Sequence, residues 1–275
     1  MTDIRMIFSD MDGTMLNSNG QISQRTVEAV RAAQKKGVIV AVCSGRFPQF
    51  ISYKMNELGL QCPIAGLNGA VLWDDEKRCI SAVHPMKTAS AQMISEICYA
   101  HGAYFFAFFD DCIVTSSFDR PHPYVNWRGG VFERDYGMRF GSGKDAVQNE
   151  ITTKETIKFV IRLDQVEDRR KLREELMQVP DVCLTSSAAN NIEIMRTGID
   201  KQFGIESLSR WHGIDIQHAM AIGDYHNDIP MLRAAGVGVA MGNAAEEVKA
   251  CADFVTDTNN NDGVAKAIEK FILNL

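Results

Sequence analysis

Two short apolar runs, one near each end of the chain, break off into acidic loops. Ile4–Ser9 leads into Asp10-Met11-Asp12-Gly13-Thr14, and Ala219–Ile222 leads into Gly223-Asp224-Tyr225-His226-Asn227-Asp228. A continuous apolar run of this length reads as a strand buried on both faces, the habit of parallel sheets. Loops at the carboxyl ends of such strands are where open α/β sheets bind ligands. The expectation is therefore a fold in which the two acidic loops face each other across the carboxyl edge of one sheet.

The residues that follow each run agree. Ser23 supplies an N-cap for a helix carrying Val27, Ala29, Val30 and Ala33, which stops at Gly37. Val38–Cys43 is the next strand and ends in Ser44-Gly45-Arg46; a helix around Phe50–Leu58 follows, then Pro63–Leu67 leads into Asn68-Gly69. Late in the chain, Ile229–Ala235 reads as a helix ended by Gly236, and Val237–Ala240 as another strand. This order calls for a parallel sheet with helices on both faces.

The middle of the chain follows a different order. A helix near Ser90–His101 precedes Tyr104–Phe109, and Ile113–Ser116 follows closely with Asp110-Asp111 at the turn, a hairpin signal. Thr156–Leu163 alternates as a half-solvated antiparallel strand should. A charged amphipathic helix at Val166–Met177 leads to a strand at Val182–Ser186, whereas Asp119–Gly143 lacks periodicity and reads as loop. The expected fold is α/β, a doubly wound parallel-sheet core at 1–82 and 187–275, with an inserted α+β domain at 83–186.

Composition narrows the function. A chain of 275 residues buries a sizeable core without disulfide or metal staples. With 29 Lys+Arg against 35 Asp+Glu, the net charge of -6 argues against nucleic acid as a partner. No run is long enough to span a bilayer, and Asp3, Arg5, Asp10 and Asp12 interrupt the place a signal peptide would need. Seven cysteines without a C-x-x-C pair read as free thiols in a reducing compartment, so a soluble cytoplasmic protein is expected. Monomer and dimer both stay open.

The chemistry begins at Asp10 and Asp12. Two neighbouring carboxylates repel unless a cation or proton lies between them, and Mg²⁺ takes carboxylates together with phosphate oxygens and water. Asp224 and Asp228 add a second acidic pair at the same edge. Four converging carboxylates are costly without a metal. Ser44-Gly45 offers a hydroxyl and backbone N–H groups to a phosphate oxygen, and Lys201, at the start of an expected helix, offers a compact positive charge.

In order, Asp10-x-Asp12-Gly13-Thr14, Ser44, Lys201 and Gly223-Asp224-x-x-Asn227-Asp228 resemble the four motifs of the haloacid dehalogenase superfamily of phosphatases. The large insertion between the second and third motifs, with Asn68-Gly69-Ala70 ahead of it, is similar to the Cof-like branch with a type IIB cap. Gln202 departs from that branch, which more often has Gly after the lysine.

The resemblance implies Mg²⁺-dependent hydrolysis of a small phosphomonoester, a sugar phosphate or similar metabolite, through an aspartyl-phosphate. Asp10 would be the nucleophile and Asp12 the acid, then the base. The Asp10 carboxylate, the Asp12 carbonyl, Asp224 and Asp228 would hold the metal, with Asp228 either direct or supporting. Ser44, Gly45, Lys201 and Asn227 would bind phosphate oxygens, and Arg46 and Asn68 are candidates for touching phosphate or substrate. Arg120, His122, Tyr124, Trp127 and Arg128 either line the cap's substrate face or pack among themselves. Two alternatives stand beside this reading: a phosphomutase, and a non-catalytic phosphoacceptor or phosphate-binding module.

Overall fold

The computed structural model describes residues 3–119, 130–163, 165–188 and 190–275. They fall into two compact units, Met1–Ala82 with Asp200–Leu275, and Val83–Ile199.

In the first unit β1 (Met6–Ser9) lies parallel between β2 (Ile39–Cys43) and β12 (Ala219–Gly223), with Met6 opposite both Ile39 and Ala219. Beyond β2 come β3 (Ile64–Gly66), β4 (Val71–Asp74) and β5 (Cys79–Val83); beyond β12 come β13 (Val237–Ala240) and β14 (Phe254–Val255). The sheet thus grows outward in both directions from the β1–β12 pair, which makes their carboxyl ends a topological switch point. β1, β12 and β13 are buried along their whole length, as their apolar sequences require.

Helix α1 (Gln24–Lys35) starts where expected: the Ser23 side chain accepts from Thr26 N–H, and Val27, Val30 and Ala33 share the buried face. α2 (Pro48–Glu57) opens on a proline, whose missing N–H costs nothing at a helix start. α7 (Lys201–Trp211) is capped by the Asp200 carboxylate on Phe203 N–H at 2.9 Å. α8 (Ile229–Ala234), α9 (Glu246–Lys249) and α10 (Gly263–Ile268) complete this unit.

The second unit holds the sheet β10-β11-β9-β6-β7-β8. Its strands are β6 (Tyr104–Phe108), β7 (Cys112–Thr115), β8 (Arg139–Ser142), β9 (Lys158–Arg162), β10 (Val182–Thr185) and β11 (Asn191–Arg196). Helices α3 (Thr88–Ala100), α5 (Lys144–Thr153) and α6 (Val166–Leu176) cover one face, where Ile94, Val147 and Leu172 meet Phe105, Phe159 and Ile194; α4 is Val131–Tyr136. The hairpin of β6 and β7 forms as read, antiparallel about Asp110-Asp111.

Several expectations change. The first sheet is mixed rather than wholly parallel, because β4 turns back antiparallel to β3. The inserted segment ends later than 186: β11 is hydrogen-bonded between β10 and β9, which draws 187–199 into the second unit. Asp119–Gly143 is not all loop, since α4 and β8 lie within it. β9 is not half-solvated: it sits inside its sheet, and Lys158 is fully buried against Glu193 at 2.8 Å. The aromatic and basic cluster at 120–128 lies outside the described residues.

All seven cysteines are unbridged; Cys43, Cys62, Cys98 and Cys112 are buried and Cys79 is exposed. No helix among the described residues is long and apolar enough to cross a membrane.

Candidate active site

Asp10 leaves β1 directly onto its neighbour, its N–H bonded to Ile222 O at 3.0 Å. The chain then turns through Gly13 at φ +79°, a conformation that disfavours any Cβ; one added there would also sit on the Asp224 carboxylate. Thr14 Oγ1 donates to Asp224 Oδ1 at 2.7 Å, tying the first acidic loop to the second.

Asp10, Asp224 and Asp228 each bring a carboxylate oxygen into one cluster, all within 4.8 Å of one another. Lys201 reaches the same place from the first residue of α7. Its Nζ donates to Asp10 Oδ1 at 2.6 Å and also to Asp228 Oδ1. The other oxygen of Asp228 accepts from the Asp224 and Tyr225 N–H groups at 2.8 and 2.9 Å, so this buried side chain also fixes the turn of its own loop. Asp10, Lys201 and Asp228 are all buried.

The electrostatics follow from three clustered carboxylates, two of them bonded to the Lys201 ammonium. Burial drives the Asp10 carboxyl well above its ordinary range; Lys201 opposes that shift, and the Asp228 and Asp224 charges add to it. Burial, partly offset by the Thr14 hydrogen bond, pushes Asp224 up to about 6. Burial disfavours charge on Lys201 too, but Asp10 and Asp228 overcome it and raise its pKa. The cluster is short of positive charge, and its donors are hard oxygens, the set that suits a small divalent cation.

The second strand's loop forms a separate network. Ser44 is buried; its Oγ accepts from Arg46 N–H at 3.3 Å and its carbonyl from Asn68 N–H at 2.9 Å. Asn68 is buried in a left-handed conformation (φ 57°, ψ 37°), and its Oδ1 accepts from Asn227 Nδ2 at 3.3 Å. Gly45 is half-buried in the turn between Ser44 and Arg46. The Asp12 carboxylate stands apart from the acidic cluster, gripped by Arg46 through Nε and Nη2, each at 2.6 Å.

The structure thus joins Asp10, Asp224, Asp228 and Lys201, links Asn68 to Asn227, and pairs Asp12 with Arg46. Two contributors escaped the sequence reading. Asn243 donates to the Gly13 carbonyl at 2.8 Å, and Asn259 to the Leu16 carbonyl at 2.9 Å. Their signal was position, since Met241-Gly242-Asn243 follows β13 at the edge where the other site loops lie.

A doubly wound α/β fold with carboxylates and a buried lysine at its switch point defines a class of phosphoryl-transfer protein. Residues 7–268 match the family model of haloacid dehalogenase-like hydrolases, and the chain belongs to that family. It is 33% identical over 271 residues to the 5-amino-6-(5-phospho-D-ribitylamino)uracil phosphatase YcsE of Bacillus subtilis (strain 168), covering 98% of this chain and 97% of that one. Its fold is similar to that of a haloacid dehalogenase-like hydrolase from B. subtilis, with TM-score 0.85, 27% identity, and 98% and 100% of the two chains covered. It is also similar to the HAD subclass IIB sugar phosphatase BT4131, with TM-score 0.79, 26% identity, and 97% and 98% covered. The chain is a phosphomonoester hydrolase of this family, acting on small phosphorylated metabolites.

Proposed function

We propose that the protein hydrolyses a phosphate ester of a sugar, polyol or similar metabolite with the help of Mg²⁺, through an aspartyl-phosphate on Asp10. The observation that carries this reading is the buried contact of Lys201 Nζ with Asp10 Oδ1 inside a cluster of three carboxylates. A buried carboxylate bonded to a buried ammonium, beside two further acids, is an arrangement for a nucleophile that must meet a phosphate dianion.

The donor set fits Mg²⁺. Asp10, Asp224 and the Asp12 backbone carbonyl would hold it, with Asp228 beside them. When bound, the ion supplies positive charge that lowers the repulsion between Asp10 and the incoming phosphate.

The remaining work falls to the chain. Asp10 attacks phosphorus, forming one O–P bond as the ester O–P bond breaks in line with it. The leaving alkoxide is a poor leaving group, so Asp12 gives it a proton and later takes one from the water that cleaves the aspartyl-phosphate. Lys201 offsets charge at Asp10 and at the transferring oxygens. Ser44, Gly45 and Asn227 take the other phosphate oxygens, and Asn68 orients Asn227. Arg46 holds Asp12.

The names of YcsE and BT4131 support the choice of leaving group, since each denotes a phosphate carried on a sugar or sugar-derived chain.

The test is release of inorganic phosphate across a panel of sugar, polyol and cofactor phosphomonoesters. Wild type with Mg²⁺, wild type with chelator, and Asp10→Asn are run together. Metal-dependent release that is lost in Asp10→Asn is expected; full turnover in the variant would overturn the nucleophile assignment. Transfer to a second hydroxyl without free phosphate would instead indicate a phosphomutase.

A further inference from the structure

Two asparagines outside the acidic cluster hold the loop that carries Asp10 and Asp12. Asn243 Nδ2 donates to the Gly13 carbonyl at 2.8 Å, and Asn243 Oδ1 accepts the Asn259 backbone N–H at 2.9 Å. Asn259 Nδ2 then donates to the Leu16 carbonyl at 2.9 Å. One side-chain amide is bonded at both its atoms, and the loop is gripped at two carbonyls.

We infer that Asn243 and Asn259 are positioning residues for phosphoryl transfer, which set the conformation of the nucleophile loop and thereby the placement of Asp10 and Asp224. The inference rests on the assignment of Asp10 as nucleophile made above.

The loop does not fix itself firmly. Its own turn bonds are long, Thr14 N–H to Met11 O at 3.4 Å and Met15 N–H to Asp10 O at 3.3 Å, with only Leu16 N–H to Met11 O short at 2.8 Å. Gly13 has the backbone freedom to let the following peptide turn over. That peptide is planar, so the Gly13 carbonyl and the Thr14 N–H move as one body. Holding the carbonyl from Asn243 therefore fixes the direction in which Thr14 leaves the turn, and Thr14 Oγ1 is the group bonded to Asp224.

The holder is itself seated firmly. Met241 N–H bonds to Gly223 O at 2.9 Å, next to Asp224, and Gly242 N–H bonds to Asp257 O at 3.0 Å. Backbone approach at Gly242 is so close that a Cβ would lie 2.9 Å from Thr258 N. The brace thus ties the loops after β1, β12, β13 and β14 together. Asn243 is exposed, so no desolvated amide demands these bonds for the fold alone.

Asn243→Asp separates the functions of the two amide atoms. The carboxylate still accepts from Asn259 N–H but cannot donate to Gly13. The expected result is a fall in kcat of roughly 10- to 100-fold, the scale of a small misplacement of reacting groups, with KM changed by less than about threefold. Amide hydrogen exchange should speed up at residues 14–16 while the strands keep their protection. Asn259→Ala should reproduce the exchange change with a smaller loss of kcat. Asn261→Ala is the control: it lies in the same turn and bonds Asp257 Oδ1 at 3.2 Å, with no bond to the loop among the described residues.

Unchanged kcat and unchanged exchange at 14–16 in the first two variants would overturn the inference. So would an equal loss of kcat in Asn261→Ala, which would mark the effect as general loosening of the turn. Asp10→Asn, assayed beside them, keeps the two readings apart. Retained turnover there overturns the nucleophile assignment and the catalytic half of this inference, while exchange alone reports whether the amides hold the loop.

Discussion

Arg46 holds Asp12 with two parallel hydrogen bonds, Nε to Oδ2 and Nη2 to Oδ1, each at 2.6 Å. The two residues come from loops after adjacent strands, β2 and β1, so the pairing follows from the parallel register. The Asp12 side chain is 58% exposed and the Arg46 side chain 41%. In water such a pair adds little stability. Its bidentate geometry instead fixes where the Asp12 oxygens stand.

Arg46→Ala is therefore expected to leave the thermal midpoint within about 2 °C, because exposed pairs contribute so little. kcat toward alkyl phosphates should fall by roughly 10-fold or more, since Asp12, proposed above as the acid, would be misdirected and lose part of its 10²–10⁴-fold contribution. Arg46→Lys should recover only part, for an ammonium cannot grip both oxygens in one plane. Esters with good leaving groups, such as aryl phosphates, need less protonation and should be less affected. Equal losses on alkyl and aryl esters would place Arg46 on the phosphate rather than on Asp12.

Gly13→Ala is expected to be far more damaging than its size suggests. The new methyl meets a left-handed backbone and the Asp224 carboxylate together. Relief requires moving Asp224, which also breaks its bond from Thr14. Turnover should fall by about 100-fold or more, and Mg²⁺ affinity measured by calorimetry should fall with it. Unchanged affinity would show that Asp224 has room to retreat without leaving the site.

The parts of this molecule that were legible from sequence are those in which chemistry and burial coincide along the chain. β1 and β12 are apolar throughout because both faces are covered, and their acidic loops stand out against them. Ser23 announces α1 because its hydroxyl satisfies an N–H that the helix cannot. The pairing of Asp12 with Arg46 was hidden: the residues stand 34 positions apart, and a bidentate grip has no sequence period. Asn243 was hidden because an asparagine in a turn is ordinarily there for its own backbone.

Lys158 is the clearest case of a pattern that misled. In Thr156–Leu163 the alternation of Lys158 and Phe159 has the period of a strand with one wet face, yet Lys158 is fully buried. Its charge is met by Glu193 on the neighbouring strand β11, far along the chain. Without β11 in the sequence reading, the lysine had no partner to bury it, and the same omission set the domain boundary too early.

Glu193→Gln should then destabilise the second unit by about 3–5 kcal/mol, the usual cost of leaving a buried charge without its partner. Replacing both residues, as Lys158→Met with Glu193→Leu, should recover much of that loss. Ser187 and Asn191 also donate to Glu193 Oε1, so the recovery stays incomplete while their polar atoms lack an acceptor. Chemical denaturation of the three proteins gives the comparison. A double variant less stable than Glu193→Gln would mean that the network is worth more than its desolvation cost.

Lys201→Met tests the charge balance at the centre of the site. Among the described residues the lysine is the one ammonium bonded to Asp10 and Asp228, and all three side chains are buried. Removing it leaves Asp10 facing Asp224 and Asp228 with no cation bonded to it among the described residues, so the proposed nucleophile and the phosphate should repel each other more strongly. kcat should fall by at least about 10²–10³-fold, the usual loss when a preorganised charge donor is removed. Lys201→Arg should not rescue it, because a planar fork cannot take the place of a compact ammonium between two fixed oxygens. Calorimetry adds a readout independent of turnover. With the competing ammonium gone, the carboxylates should still bind Mg²⁺, and at least as tightly as in the wild type. Loss of both turnover and Mg²⁺ binding would instead show that Lys201 holds the three acids in place, and that its contribution is to their geometry more than to the charge on the phosphate.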